Sequence, residues 1–324
     1  LIPDEFHDQY RHKVRVGQAL YVDQYFGLRE QNVLGHFMTA EQQAQWFEHN
    51  VYWALYTADK YVWCYSERMN WWEDQDVPAG CEEAILSARR KLANAQGLDI
   101  DLAPIIETAQ KREQDAVTGD LAIRTAEIMR LGRGVSSPKI DGELDDELWR
   151  KTEPLEPFVP MKAAQETVSA QTETRAAYDD EYLYIAFRCE EPKAPELQIV
   201  GEKRDDYVFT GDVVELFIKP SDESAAFYHF AINPANVVWE GLHVDVLQTE
   251  YNPEWQHGAQ RGPDFWTVEA AIPWKALNMA APEPGSRIRI NLCRERYTER
   301  EWTLWSQSVY HFLEPEHFGT FTFK

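Results

Sequence analysis

The chain has few cysteines, and their spacing suits neither a metal site nor a redox pair. The four are Cys64, Cys81, Cys189 and Cys293, and no two of them form a CxxC motif. We therefore expect them to be buried free thiols.

Basic residues and long apolar runs are also scarce. The chain carries 32 basic and 55 acidic residues, for a net charge of −23, which argues against nucleic acid and against an anionic membrane surface as partners. No apolar run approaches the about 18 residues that a membrane-spanning helix needs. The chain opens at Leu1 with neither a Met nor a signal-peptide pattern, which we interpret as a mature form or a fragment.

Aromatic residues, in contrast, are abundant. The 324 residues include 12 Trp, 15 Tyr and 15 Phe. Aromatic faces stack on sugar rings through axial C–H groups, so the excess favours a carbohydrate ligand, although core packing can account for most of it. The length suggests two domains with ample core.

The first hundred residues have an α/β pattern. Thr39 and Gln42 form a plausible capping box before a helix with Phe47, Val51 and Ala54 on one side. Residues 60–67 follow as a buried strand that ends in Ser66 and Glu67, and a second helix is expected from Glu82 to Ala95.

The segment 49–67 and the Asn70-Trp-Trp72 that follows it resemble the last units of a glycoside-hydrolase-like (β/α) barrel. This resemblance implies that Glu67, at the carboxyl end of a strand, is a catalytic candidate. Such an enzyme needs a second carboxyl group, for which Asp23 is a guess. A closed barrel takes about 250 residues, so this part is either a remnant of an enzyme or a small domain. A salt-bridged strand end is the competing interpretation of Glu67.

Residues 101–134 are interpreted as a helical connector. It includes a helix over Leu121–Leu131 with an apolar stripe, and a linker follows at 132–138. From residue 139 onward, short strands recur at regular spacing without helices between them, which predicts an antiparallel β-sandwich. We therefore predict a two-part α+β chain, in which an N-terminal α/β or mainly helical part precedes an antiparallel β-sandwich. The expected segments are 1–100, the connector 101–134 and the sandwich, 135–324. Trp149, Trp266 and Trp274 are expected in its core.

The strand around residues 211–219 is predicted to be central, and it contains an acidic side chain among apolar ones. Glu215 is either on the outer face of a half-buried sheet or a ligand-facing acceptor beside an aromatic platform. Burying a carboxylate is costly unless it is paired or hydrogen-bonded, so either interpretation must supply a partner.

Five segments in this part resemble carbohydrate-binding module family 9, in the family's order. They are 140–149, 177–187, 211–218, 265–274 and 317–321. The resemblance implies a two-sheet jelly-roll sandwich that binds sugars and is attached to secreted polysaccharide-degrading enzymes. We therefore expect an extracellular or periplasmic location. No cofactor is required, but the resemblance implies a possible structural calcium ion, for which Asp141, Asp145, Asp179 and Asp180 are candidates.

The resemblance also implies ligand-binding positions. Phe209 and Phe312 match two stacking aromatics, Glu215 matches an acceptor for sugar hydroxyls, and Asn233 matches a neighbouring amide. Ala231 stands where the family has an arginine. Tyr207, Tyr310, Trp239 and Trp255 are the residues that could compensate for that loss.

The leading hypothesis is therefore carbohydrate binding by the sandwich. One alternative is a glycoside hydrolase acting through Glu67, and another is a structural sandwich that has lost sugar binding. A haem site on Met161 or Met279 ranks last, because neither lies near a histidine in sequence.

Overall fold

The computed structural model describes residues 3–28, 34–73, 75–132, 135–162, 167–244 and 246–324. The chain divides into two compact units, Leu1–Gly119 and Asp120–Lys324, and each has its own hydrophobic core. No helix among these described residues combines the length and the apolar character that crossing a membrane requires.

The first unit packs helices against one face of a parallel strand pair. The strands are β1 (Gly17–Tyr21) and β2 (Tyr61–Tyr65). The helices are α1 (His7–Lys13), α2 (Val22–Phe26), α3 (Ala40–Thr57), α4 (Cys81–Ala93) and α5 (Ala103–Thr118), with 3₁₀ helices at Asp4–Phe6 and Leu34–Phe37. Leu20 and Val62 extend from the sheet into a core shared with Phe47 and Val51 of α3.

The start of α3 follows from its sequence. The Thr39 hydroxyl accepts a hydrogen bond from the Gln42 N–H at 3.2 Å, and the Gln42 side chain accepts one from the Thr39 N–H at 3.0 Å. The predicted capping box is therefore confirmed. The helix expected from Glu82 is also confirmed, as α4.

The strand expected at 60–67 is present as β2, but the prediction that it is buried is wrong. Val62 and Cys64 face the core, whereas Tyr61, Trp63 and Tyr65 are exposed. The helices cover one face of the sheet, and the aromatic residues at alternate positions made the whole segment resemble a buried apolar run.

The second unit is a β-sandwich, and its described residues include the short helix α6 (Glu147–Lys151). Its strands are β3 (Thr125–Arg130), β4 (Val159–Pro160), β5 (Thr172–Tyr178), β6 (Tyr182–Glu190), β7 (Val213–Lys219), β8 (Phe227–Ile232), β9 (Val238–His243), β10 (Leu247–Gln248), β11 (Gln256–Arg261), β12 (Phe265–Pro273), β13 (Arg287–Arg296), β14 (Glu301–Leu304) and β15 (Gly319–Phe323). Single 3₁₀ turns lie at Ala194–Glu196, Trp274–Leu277 and Pro315–His317.

The described strands form one curled sheet in the order β10-β9-β8-β7-β13-β15-β3-β5-β6-β12-β11, with β14 paired to β13 and β4 to β14. β3 is parallel to both neighbours: residues 125–128 pair with β15, and residues 129–130 pair with β5. It thereby joins the two halves, whose inner faces enclose a single core. The predicted fold class, a two-part α+β chain with a C-terminal β-sandwich, is confirmed.

The prediction of a helix over Leu121–Leu131 is wrong, because this segment contains β3. Ala126 and Ile128 pack on the sandwich core, whereas Met129 and Leu131 pack on a second apolar cluster. Because apolar residues of β3 pack on both of its faces, they do not alternate strictly, and their spacing resembles that of an apolar helix face. Pairing with β15 and β5 stabilises the strand conformation.

Buried tryptophans stabilise the sandwich. Trp149, Trp266 and Trp274 are all buried, as expected. The indole N–H of Trp149 donates to Glu269 Oε1 at 2.6 Å, while the Gly142 and Asp141 N–H groups donate to Glu269 Oε2 at 2.7 and 3.0 Å. One buried carboxylate on β12 therefore holds the opening segment of the sandwich.

Candidate functional site

The candidate site lies on the outer face of the sheet half formed by β7, β8 and β9. Alternate residues of these strands, including Leu216 and Phe230, point into the sandwich core. The residues between them therefore point to the opposite face. In the strand register, Phe217 lies opposite His229, which in turn lies opposite Gly241.

A buried, hydrogen-bonded pair of side chains forms the floor of this face. The Nε2 atom of His229 lies 2.7 Å from Oε2 of Glu215, and the two residues are only 5% and 3% exposed. A carboxylate is tolerated at such burial when it is paired or hydrogen-bonded. Glu215 lies on the outer face of the sheet, but it is covered there and its partner is an imidazole. Its role as a ligand-facing acceptor stays a prediction.

Aromatic rings surround the imidazole of His229. The Phe217 ring stacks on it at a centroid distance of 4.2 Å, and Trp239 and Phe209 lie 4.9 and 5.4 Å away. Phe209 also meets Trp239 edge to face at 5.0 Å. Gly241 makes room for this arrangement, because a Cβ atom there would lie 2.5 Å from the Trp239 ring.

A second histidine lies beside the pair. His243 stacks on Phe227 at 4.4 Å with an interplanar angle of 6°, and its ring is 5.6 Å from His229. Burial, together with the neighbouring His229, lowers the pKa of His243 to about 4. Its Nε2 atom is buried and has no hydrogen-bond partner in the described part of the chain. His243 is therefore a neutral imidazole at pH 7.

Residues 140–324 match the family described as "Carbohydrate family 9 binding domain-like". The chain belongs to this family. We name residues 140–324 the family 9 domain. The chain is also similar to a carbohydrate-binding module family 9 from Caldicellulosiruptor kristjanssonii. The structures of that module with cellotriose and with glucose are each 18% identical to this chain, with TM-scores of 0.46 and 0.47. The two alignments each cover 62% of this chain, and 94% and 96% of those chains. No curated protein matches the chain.

The two predicted platform rings of the family 9 domain differ in exposure. Phe209 is half-buried at one side of His229. Phe312 is buried in an apolar cluster, where it contacts Phe217 at 6.5 Å. His229 and Phe217, both from the sheet, therefore link the two loop rings. The ligand-binding roles of Phe209 and Phe312 stay predictions.

The two predicted tyrosines lie on loops. Tyr207 is exposed and meets Phe209 edge to face at 5.2 Å. Tyr310 is half-buried, and its N–H donates to Glu314 Oε1 at 2.8 Å. Tyr207 thus extends the aromatic surface of Phe209 outward. The binding roles of both tyrosines stay predictions.

Asn233 and Trp255 are used inside the domain. The Asn233 Nδ2 donates to the carbonyl of Val200 at 2.8 Å, and its Oδ1 accepts from the N–H groups of Ala235 and Val237. The amide thereby stabilises the turn between β8 and β9, and its role as a ligand contact stays a prediction. Trp255 is buried, and its indole N–H donates to the carboxylate of Glu240.

Sequence reasoning missed His229 and Phe217 as members of the site. The available signal was the alternation of β8, in which an ionisable residue stands between Tyr228 and Phe230, two residues that point to the core. Pairing His229 with Glu215 required the register of β7 and β8, which the sequence alone does not provide.

The four candidate calcium ligands make hydrogen bonds or ion pairs with protein groups. Asp179 accepts from the N–H groups of Glu181 and Tyr182, Asp180 pairs with Arg130, and Asp141 pairs with Lys139. The carbonyl of Asp145 accepts from Arg150. The described residues contain no group of three His, Cys, Asp or Glu side chains that could hold a metal ion. Structural calcium stays a prediction.

Asp23 and Glu67, the two acidic residues proposed for catalysis in the first unit, are in contact but make different hydrogen bonds. Asp23 is buried and accepts hydrogen bonds from the Ser66 hydroxyl and, at 3.0 Å, from the Glu67 N–H. It therefore fixes the end of β2. Glu67 is exposed and accepts from Tyr21 at 3.0 Å and from Tyr65 at 3.3 Å. The catalytic role of Glu67 and the barrel resemblance both stay predictions.

Proposed function

We propose that the family 9 domain binds neutral carbohydrate on the outer face of β7–β8–β9. In this proposal a sugar ring stacks on Phe209, with Tyr207 and Trp239 beside it. The observation that carries it is the buried Glu215–His229 pair beside the half-buried Phe209 ring, which the exposed Tyr207 ring extends outward, in a chain that belongs to a carbohydrate-binding family.

The chemistry of the face favours a neutral sugar. Aromatic rings offer electron-rich faces to the C–H groups of a pyranose, and carboxylate and imidazole groups can exchange hydrogen bonds with its hydroxyls. Ala231, in the middle of β8, supplies no guanidinium for a sugar acid. His243 is neutral at pH 7 because of its lowered pKa.

A second candidate function is structural. Glu215 and His229 hydrogen-bond to each other and are almost completely covered, and the Phe312 ring is buried with Phe217. A face closed in this way could stabilise the sandwich without binding any ligand. Measurement of binding decides between the two functions.

Calorimetric titration with glucose and with cellotriose tests the proposal. We expect saturable binding by the full chain, weakened about tenfold or more in Phe209→Ala, which corresponds to about 1.4 kcal/mol of binding free energy. Phe265→Ala is the matched control, because Phe265 is a half-buried Phe of the same domain that packs under Arg188. Its affinity should equal that of the unmodified chain.

Equal affinities in Phe209→Ala and in the control would remove this site assignment. Absence of binding to neutral sugars at millimolar concentration would instead favour the structural function. Attachment to a polysaccharide-degrading enzyme, structural calcium and an extracellular or periplasmic location are finer parts of the proposal, supported by the resemblance to the family.

A further inference from the structure

A row of aromatic side chains projects from the first unit. Tyr61 and Trp63 are each 66% exposed, and Tyr65 at the end of the same strand is also exposed. These residues alternate along β2, so they share one face at a spacing of about 7 Å. Val62 and Cys64 between them face the core. Large exposed rings in one row are unusual for a solvated surface and mark an interaction site.

The row ends in a polar group. The Tyr21 ring, opposite Tyr65 in the register, stacks on it at 5.7 Å with an interplanar angle of 22°. The two hydroxyls donate to different oxygens of Glu67. The two hydrogen bonds therefore hold the Glu67 carboxylate against the Tyr21 and Tyr65 rings. The carboxylate oxygens lie at the edge of the aromatic row.

The architecture indicates that this face is covered in use. Parallel sheets are almost always covered on both faces, whereas in the described part of the first unit the helices cover only the face of Leu20 and Val62. The exposed face combines ring surfaces with a carboxylate and phenol hydroxyls. Such a combination suits a partner with both C–H surfaces and hydroxyl donors.

We propose that the aromatic row of β2, ending in Glu67, is a second binding surface for a neutral glycan, separate from the site on the family 9 domain. The charges along the row select this occupant. The Glu67 carboxylate lies at one end, where it can accept hydrogen bonds from hydroxyls, and the Lys60 ammonium lies 5.1 Å from the Tyr61 ring centroid at the other end, so the row favours neither an anion nor a cation. A second copy of a chain with net charge −23 would be repelled, whereas a neutral glycan would not.

Affinity electrophoresis of the full chain tests this surface. The gels contain hydroxyethylcellulose or arabinoxylan as neutral glycans, or polygalacturonate as an acidic one. All variants carry Phe209→Ala, so that the remaining retardation is separated from the site on the family 9 domain. We expect Trp63→Ala to weaken retardation by a neutral glycan about tenfold, and Tyr61→Ala to weaken it severalfold.

Tyr56→Ala is the matched control, because Tyr56 is 65% exposed but lies on α3, and its retardation should not change. Trp63 and Tyr61 are highly exposed, so their truncation leaves the core of the first unit unchanged. Circular dichroism checks that each variant is folded. Retardation that is equal in all three variants overturns the proposal. Retardation by polygalacturonate and not by a neutral glycan also overturns the proposal. A dimer that Trp63→Ala converts to a monomer, without any change in retardation, overturns it as well. A failure of Phe209→Ala to affect sugar binding concerns only the other site.

Discussion

Two buried carboxylates show how single residues of the sandwich are stabilised in different ways. Glu215 is paired with the His229 imidazole, whereas Glu269 accepts hydrogen bonds from two backbone N–H groups and from the Trp149 indole. Burial outweighs these hydrogen bonds and raises the pKa of Glu269 to about 6. The ordinary value is 4.5, so the folded state holds a proton that the unfolded state releases.

The pKa of Glu269 predicts a pH-dependent stability. Because the folded pKa is raised, the contribution of the protonated carboxyl is fully present below pH 4.5 and is lost as pH rises through about 6. Relative to Glu269→Gln, the free energy of unfolding of the unmodified chain should fall by about 2 kcal/mol between pH 4 and pH 7. Urea unfolding followed by tryptophan fluorescence measures this difference.

A difference that stays constant over this pH range would contradict the pKa assigned to Glu269. Glu254→Gln, at an exposed loop position, controls for the loss of one surface charge. The sequence predicted Trp149 as a core residue, because it follows Leu148 in the apolar end of the opening segment. It could not predict Glu269 as the partner, since 120 residues separate the two and only the fold joins them.

At the scale of elements, local signals predicted the helices better than the strands. α3 begins at a capping box that can be read from Thr39 and Gln42 alone, because both hydrogen bonds lie within four residues. The strand β3 could not be predicted from local sequence in this way. Its partners, β15 and β5, lie far along the chain, and its apolar residues serve two different clusters.

Removal of the cap should destabilise the first unit. We expect Thr39→Ala to lower its free energy of unfolding by about 1 kcal/mol, because one N–H of the first turn of α3 loses its acceptor. Thr57→Ala is the control at the other end of the helix, where the hydroxyl donates to the Trp53 carbonyl, and its effect should stay within about 0.5 kcal/mol. Chemical denaturation followed by circular dichroism compares them, and equal losses would contradict the capping role.

At the scale of the whole molecule, the regular spacing of short strands was sufficient to predict the sandwich. The order of the strands was not predictable, because β3 joins the two halves by parallel pairing on both sides. The site shares this limitation. Glu215 and Phe209 could be proposed from one segment, but His229 and Trp239 reach them only through the register of three strands.

The central claim is that sugar binds over the Glu215–His229 pair, and the imidazole signals of His229 report on it directly. During titration with cellotriose, NMR of the ring ¹³C–¹H groups should show saturable shifts of His229 and His243. His49 on α3 should not shift. Titration that leaves His229 and His243 unchanged while the chain still binds cellotriose would contradict the account.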